Sequence, residues 1–213
     1  FMKTIEEARE LARTMVDLGN AVGRKTIAVL TDMSQPLGTS IGNRLEILEA
    51  LDILQGKGRE DVTHFICELA QIMLELGGVT ASLEEVKQHL TAGKALKKFQ
   101  GGDLEDLYRP VQVKEQVPVY AEEDGYIAAL PAMEHGLFAM RLGAGRAVKS
   151  DDLDYETGIV FAKKVGDPVQ KGDLVATIYT NLEISQKTIA EFQKNVKILD
   201  KVVSVSEIIE IVS

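Results

Sequence analysis

The sequence predicts an α/β segment followed by a smaller α+β segment, β-rich and barrel-sandwich-like. Three observations predict it. Residues 5–31 read as an amphipathic helix, a glycine turn and a short buried strand. Helical periodicity then dominates to about residue 99. From about Val111 the texture changes to alternating valines broken by recurrent Gly and Asp turn signals. The change places a boundary near residues 100–110, dividing the chain into 1–105 and 106–213.

The elements follow in order. Thr4-Ile5-Glu6-Glu7 has the T-x-x-E form of a capping box, so a helix begins almost at once. Ile5, Ala8, Leu11, Ala12, Met15 and Leu18 continue it at helical spacing, and Gly19 is its expected stop. Thr26–Thr31 is a short apolar run with β-branched residues, the pattern of a strand buried on both faces of a parallel sheet. Asp32–Gly42 holds one Pro and two Gly and reads as a loop at that strand's C-terminal end, where α/β proteins place ligands. Asn43 is the expected N-cap of a helix with Ile47, Leu48, Leu51 and Leu54 inward. Glu46 and Glu49 lie off that stripe. Val62, Phe65, Ile66, Leu69, Ile72, Met73 and Leu76 mark the clearest helix, closed by Gly77-Gly78. Ser82-Leu83-Glu84-Glu85 is a second capping box, and residues 94–99 extend the helical run. Strands are then expected from 111 onward, interrupted by a helix near 183–198 and ended by a strand over 202–212.

Composition narrows the chemistry. The 213 residues carry 24 Lys and Arg against 33 Asp and Glu, a net charge of -9, which disfavours binding to nucleic-acid phosphates. No apolar run reaches membrane-spanning length. Cys67 is the single cysteine, so no intrachain disulfide forms, and its apolar helical setting points to an inert buried thiol. His64, His89 and His135 have no metal-ligand spacing and read as surface or satisfied histidines. Gly143-Ala144-Gly145-Arg146 with Lys149 could cradle a phosphate through backbone N–H groups, but such glycines more often serve a turn. Val165–Ala176 has the V-G-D-x-V-x-K-G-x-x-L pattern of a lipoyl- or biotin-carrier hairpin. It lacks the M-K-M that presents a modified lysine, so it reads as architecture. The 32–49 stretch is the best ligand candidate. Loop carbonyls that no ladder pairs, with the Glu49 carboxylate, suit a hard cation such as K⁺ or Ca²⁺.

Thr31-Asp32-Met33-Ser34-Gln35-Pro36-Leu37-Gly38, Ile41-Gly42-Asn43 and Leu45-Glu46-Ile47-Leu48-Glu49-Ala50 closely resemble the T-D-M-x-Q-P-L-G-x-x-(I/V)-G-N-x-L-E-(V/I)-x-E-A stretch of pyrimidine-nucleoside and thymidine phosphorylases. The likeness continues through Leu54, Gly56, Gly58 and Asp61-Val62. It returns at Leu142–Arg146 with Lys149, at Asp154, at Gly158-Ile159 and at the 165–176 hairpin. Phe1-Met2-Lys3-Thr4 is similar to the continuation of the family's G-x-G-A-F-M motif. The resemblance spans this chain but only the C-terminal half of the family's polypeptide. With a capping box so close to Phe1, it implies a C-terminal portion of a longer protein rather than a start at Met2.

The resemblance implies reversible phosphorolysis of uridine- or thymidine-type nucleosides to free base and (deoxy)ribose 1-phosphate, in a cytoplasmic homodimer. The family's phosphate loop and the Arg, Ser and Lys that grip the base lie upstream. No catalytic residue is therefore named here, and the chain alone is expected to be inactive. The family's K⁺ site, able to take Ca²⁺ as a stand-in, maps onto the backbone carbonyls of Leu37 and Ser40 and the carboxylate of Glu49. Phe1 falls where the family lines the base pocket. Residues 1–105 would complete the central α/β domain and 106–213 the small α+β subdomain. Alternatives are a carrier-like or structural module and a nucleoside-monophosphate phosphorylase.

Overall fold

The computed structural model describes residues 2, 4–100, 108–204 and 206–213. Helix α1 (Ile5–Ala21) opens with the expected capping box: the Thr4 hydroxyl accepts the Glu7 N–H and the Glu7 carboxylate accepts the Thr4 N–H. Its inner face buries Ala12 and Val16. The Arg9 guanidinium meets Glu210 at 2.6 Å, tying α1 to the last strand, β9 (Ile208–Val212). That strand pairs antiparallel with β1 (Ala28–Thr31), from Ala28 opposite Val212 to Leu30 opposite Glu210, with a register shift before Thr31 opposite Ile208. The buried parallel strand expected at 26–31 is thus a half-buried antiparallel one, with only Leu30 enclosed. Its partner comes from the far end of the sequence, which local pattern cannot announce.

A helical layer follows. Helix α2 (Asn43–Leu54) is capped by Gly42, not Asn43. Asn43 is its first residue, and its side-chain amide donates to the Ala144 carbonyl. Position 42 has φ +131°, and a Cβ there would lie 2.5 Å from the Thr157 carbonyl oxygen, so only glycine fits. Helix α3 (Glu60–Leu76) buries Val62 and Phe65 of its predicted stripe, with Cys67 enclosed beside them; Ile66, Leu69, Ile72 and Leu76 are half-buried and Met73 is exposed. Burial raises the Cys67 thiol pKa, in keeping with an inert side chain. Helix α4 (Leu83–Thr91) carries the second capping box, and α5 (Lys94–Gln100) follows.

The β-rich part holds two open sheets; none of the described strands closes a barrel. One sheet has the order β2 (Ser40–Ile41), β5 (Gly158–Phe161), β7 (Leu174–Thr180), β3 (Glu115–Tyr120). The other has the order β6 (Pro168–Val169), β4 (Gly125–Ala129), β8 (Lys197–Leu199). The carrier-like hairpin is therefore split: β6 and β7 turn into different sheets, with Val169, Val175 and Ala176 buried between them. Helix α6 (Ala132–Ala139) and a π turn (Met140–Ala144) stand where strand was expected. Their buried residues His135, Phe138, Ala139 and Leu142 recur at helical spacing. Helix α7 (Gln186–Lys194) ends before β8, shorter than the expected 183–198.

The expected boundary near 100–110 falls partly on residues 101–107, outside the described residues. Two strand pairings join segments on either side of it, β1 with β9 and β2 with β5. Among the described residues no helix is long and apolar enough to cross a membrane.

The aromatic centre of the β-rich part encloses a histidine. His135 is 0% exposed, its ring 4.7 Å from that of Phe192 and 5.0 Å from that of Phe161. Among the described residues neither ring nitrogen makes a well-formed hydrogen bond, although the Asn195 backbone lies close enough to favour the charged ring. This corrects the expectation of a surface or satisfied histidine. Burial outweighs the help of Asn195 and Glu134 and lowers its pKa from 6.5 to about 4. Between those values the unfolded chain takes up a proton that the folded chain refuses, so stability falls as pH drops from about 6.5 towards 4. We expect this residue to cost about 2 kcal/mol between pH 7 and pH 5. Urea denaturation at both pH values should show that loss reduced in His135→Phe; an identical pH dependence in both proteins would contradict it.

Candidate functional site

The loop between β1 and α2 is stitched to the β-rich part along its length. The Ser34 carbonyl accepts the Ala132 N–H (3.0 Å), the Gln35 side chain accepts the Val165 N–H (3.3 Å), and the Thr39 carbonyl accepts the Phe161 N–H (2.7 Å). Ser40 and Ile41 then enter the sheet beside Val160 and Ile159. What reads in sequence as a free polar loop is a strap held at both ends.

Helix α2 aims Glu49 back at this strap. One carboxylate oxygen accepts the Thr39 N–H (2.6 Å) and the Thr39 hydroxyl (2.7 Å); the other accepts the Ser40 N–H (3.0 Å). A Cβ at position 38 would lie 2.3 Å from that second oxygen, so Gly38 lets the backbone close on the carboxylate. Glu46, one turn earlier, accepts the Gly42 N–H at 3.0 Å. Leu37, Ser40 and Glu49 are thus brought together in one strap-and-helix unit. The Thr39 and Ser40 N–H groups face Glu49, while the carbonyls of Pro36, Leu37 and Gly38 have another partner.

Those carbonyls converge on a residue that sequence reasoning missed. The Lys164 ammonium donates to the carbonyl oxygens of Pro36, Leu37 (3.1 Å) and Gly38 (2.9 Å), and the residue is 2% exposed. Burial, helped by the Arg59 charge, lowers its pKa to about 8 against the pull of Asp61, Glu49 and Glu207, so the ammonium form predominates at neutral pH. Its own N–H donates to Asp167 (2.8 Å), which also takes the Arg59 guanidinium (3.1 Å). Arg59 in turn pairs with Asp61 at 3.0 Å. Burial alone would raise the Asp61 carboxyl pKa, but hydrogen bonds from Arg59 and the Val62 N–H hold it below the usual range. Beside the strap opens a cleft of about 380 Å³, walled by Leu37, Glu49, Ile53, Val62, Ile66 and Ala132.

The other candidates go elsewhere. The backbone N–H groups of Ala147 and Val148, next to the 143–146 glycines, donate to the Asp151 carboxylate (3.0 Å each), and Arg146 donates to the Asp151 carbonyl. That segment is a closed turn, with Lys149 exposed beside it. His64 lies 3.5 Å from Glu68 on the surface of α3. Among the described residues no three His, Cys, Asp or Glu are grouped to hold a metal. Phe1 lies outside the described residues.

The family model described as "Pyrimidine nucleoside phosphorylase C-terminal domain" matches residues 126–199. A pyrimidine-nucleoside phosphorylase of Bacillus subtilis (strain 168) is 44% identical over 211 residues, covering 93% of this chain and 49% of the relative. Proteins of the same name from Staphylococcus aureus are 39% identical over 226 residues in strain USA300 (100% and 52% covered) and 40% over 217 in strain MSSA476 (96% and 50%). The chain spans about half the length of the curated relatives it matches.

Proposed function

We propose that this chain, a C-terminal portion of the pyrimidine-nucleoside phosphorylase family, supplies the scaffold and a cation anchor for reversible phosphorolysis of a pyrimidine nucleoside. In that reaction a phosphate oxygen bonds to the anomeric carbon as the C–N bond to the base breaks. The bonding pair leaves with the base, and a pentose 1-phosphate remains. The similarity to enzymes of that name, which runs through 93–100% of this chain, carries the reading. Phosphate and base would be gripped by polypeptide that the relatives have in addition, with Phe1 lining the base. In the same reading the intact enzyme is a cytoplasmic homodimer, and residues 1–105 and 106–213 are its central and small subdomain portions.

The strap fits a monovalent cation in donor type. The carbonyls of Leu37 and Ser40 and the carboxylate of Glu49 are hard oxygens, with no nitrogen or sulfur among them. Leu37's carbonyl oxygen has a second lone pair beyond the one used by Lys164. Three such donors make part of a shell, since Ca²⁺, for comparison, takes about 6–8 oxygens. The remainder would come from water or from the additional polypeptide. A bound K⁺ would supply positive charge beside the phosphate. This chain's residues hold the strap in place. The carrier alternative gains nothing from the fold, because Lys171 sits at a turn whose N–H is tied to Asp124 (2.7 Å) and the hairpin strands part.

The test joins this chain in frame to the portion of the Bacillus subtilis relative that it does not cover. With uridine and phosphate, the joined protein should release uracil and the isolated chain should not. Uracil from the isolated chain, or an inactive but folded joined protein, would refute the proposal.

A further inference from the structure

We propose that Lys164 is a positioning residue of this site: its ammonium, gathered by the carbonyl oxygens of Pro36, Leu37 and Gly38, fixes the strap that carries Leu37 and Ser40 against Glu49. The inference rests on reading that strap as the cation anchor.

The chemistry is specific. Three adjacent carbonyls turned to one point repel one another unless a cation lies between them. A lysine ammonium has three donors and no acceptor, and here three carbonyls accept. Burying such a charge is tolerable only with its hydrogen bonds made and opposite charge near, and Asp61, Glu49 and Glu207 supply that charge against the like charge of Arg59. The lysine is tied down at its backbone as well. Its backbone N–H is held by Asp167, which Arg59 ties to the start of α3. The ammonium is therefore a tethered cation, delivered by the β-rich part to a loop of the α/β part some 126–128 positions earlier. It pins the carbonyls of residues 36–38 while Glu49 pins the N–H groups of Thr39 and Ser40.

The consequence is local. Without the ammonium, the three carbonyls lose their partner and the strap loosens, so the Thr39 and Ser40 N–H groups leave Glu49 more often. Hydrogen exchange of the intact 213-residue chain reads this directly. In Lys164→Met the Thr39 and Ser40 amides should exchange about tenfold faster or more, the loss expected when charged hydrogen bonds are removed. Amides of β7 such as Ala176 and Ile178, which pair with β3 and β5 and not with the strap, should keep their rates. Lys164→Arg, which restores donors and charge, should recover most of the protection. Should the Met variant fail to fold, Lys164→Gln allows the same comparison. Unchanged exchange at 39 and 40, or a rise shared equally by Ala176 and Ile178, would overturn the inference. Replacing choline chloride by KCl tests the anchor reading separately. If K⁺ leaves these amides unchanged in the chain and in the joined protein, that reading fails while the Lys164 result stands on its own.

Discussion

Replacing Phe192 by alanine should destabilise the folded chain by about 3–5 kcal/mol, the range for deleting a buried ring. Phe192 is 0% exposed and is the common neighbour of the aromatic centre. Its ring lies 4.7 Å from His135, 5.2 Å from Phe138 and 6.0 Å from Phe161. These residues come from α7, α6 and β5, so one side chain holds two helices against a sheet. Alanine would leave a cavity that three separate elements cannot close together, and the cavity adds to the lost transfer energy. Urea denaturation reads the effect as a lower midpoint at unchanged slope. A loss under about 1 kcal/mol would mean that the helices do not depend on this ring.

Gly158→Ala should cost about 3 kcal/mol, the upper end of overpacking penalties. Position 158 begins β5 opposite the strap. A Cβ there would lie 2.1 Å from the Ile41 carbonyl oxygen and 2.7 Å from the Leu45 side chain. The first neighbour is backbone and cannot rotate away, so β2 must separate from β5. Gly136→Ala on α6 is the matched control, with no atom within 4 Å of the new Cβ. It should stabilise by about 0.5–1 kcal/mol through helix propensity. Equal thermal midpoints for the two variants would show that the strap does not pack against β5 as described.

Local chemistry was legible in the sequence, and long-range partnership was not. Both capping boxes, at Thr4 and Ser82, form as their spacing predicts, because each depends on residues three apart. The inner face of α3 was visible for the same reason. The strap was found as a polar loop after a strand, and Glu49 was picked out beside it. Its pairing with β5 was hidden, because only two residues pair and their partners lie over a hundred positions away. The antiparallel partner of β1 was hidden likewise. Helix α6 carried its own signal in the spacing of His135, Phe138, Ala139 and Leu142, which the surrounding strand-like valines masked. Lys164 follows Lys163 in a polar turn. Nothing local separates Lys164, buried on three carbonyls distant in sequence, from Lys163, whose ammonium donates to the Pro168 carbonyl and lies 3.7 Å from Asp173.

The most direct test is a K⁺ titration of uracil release by the joined protein, with Glu49 intact and as Glu49→Gln. The substitution keeps the size of the side chain and removes its charge. If this chain furnishes the oxygen anchor, half-saturation should move to K⁺ concentrations about tenfold higher or more, as expected when a charged ligand is lost. Superimposable K⁺ curves for the two proteins would contradict the account.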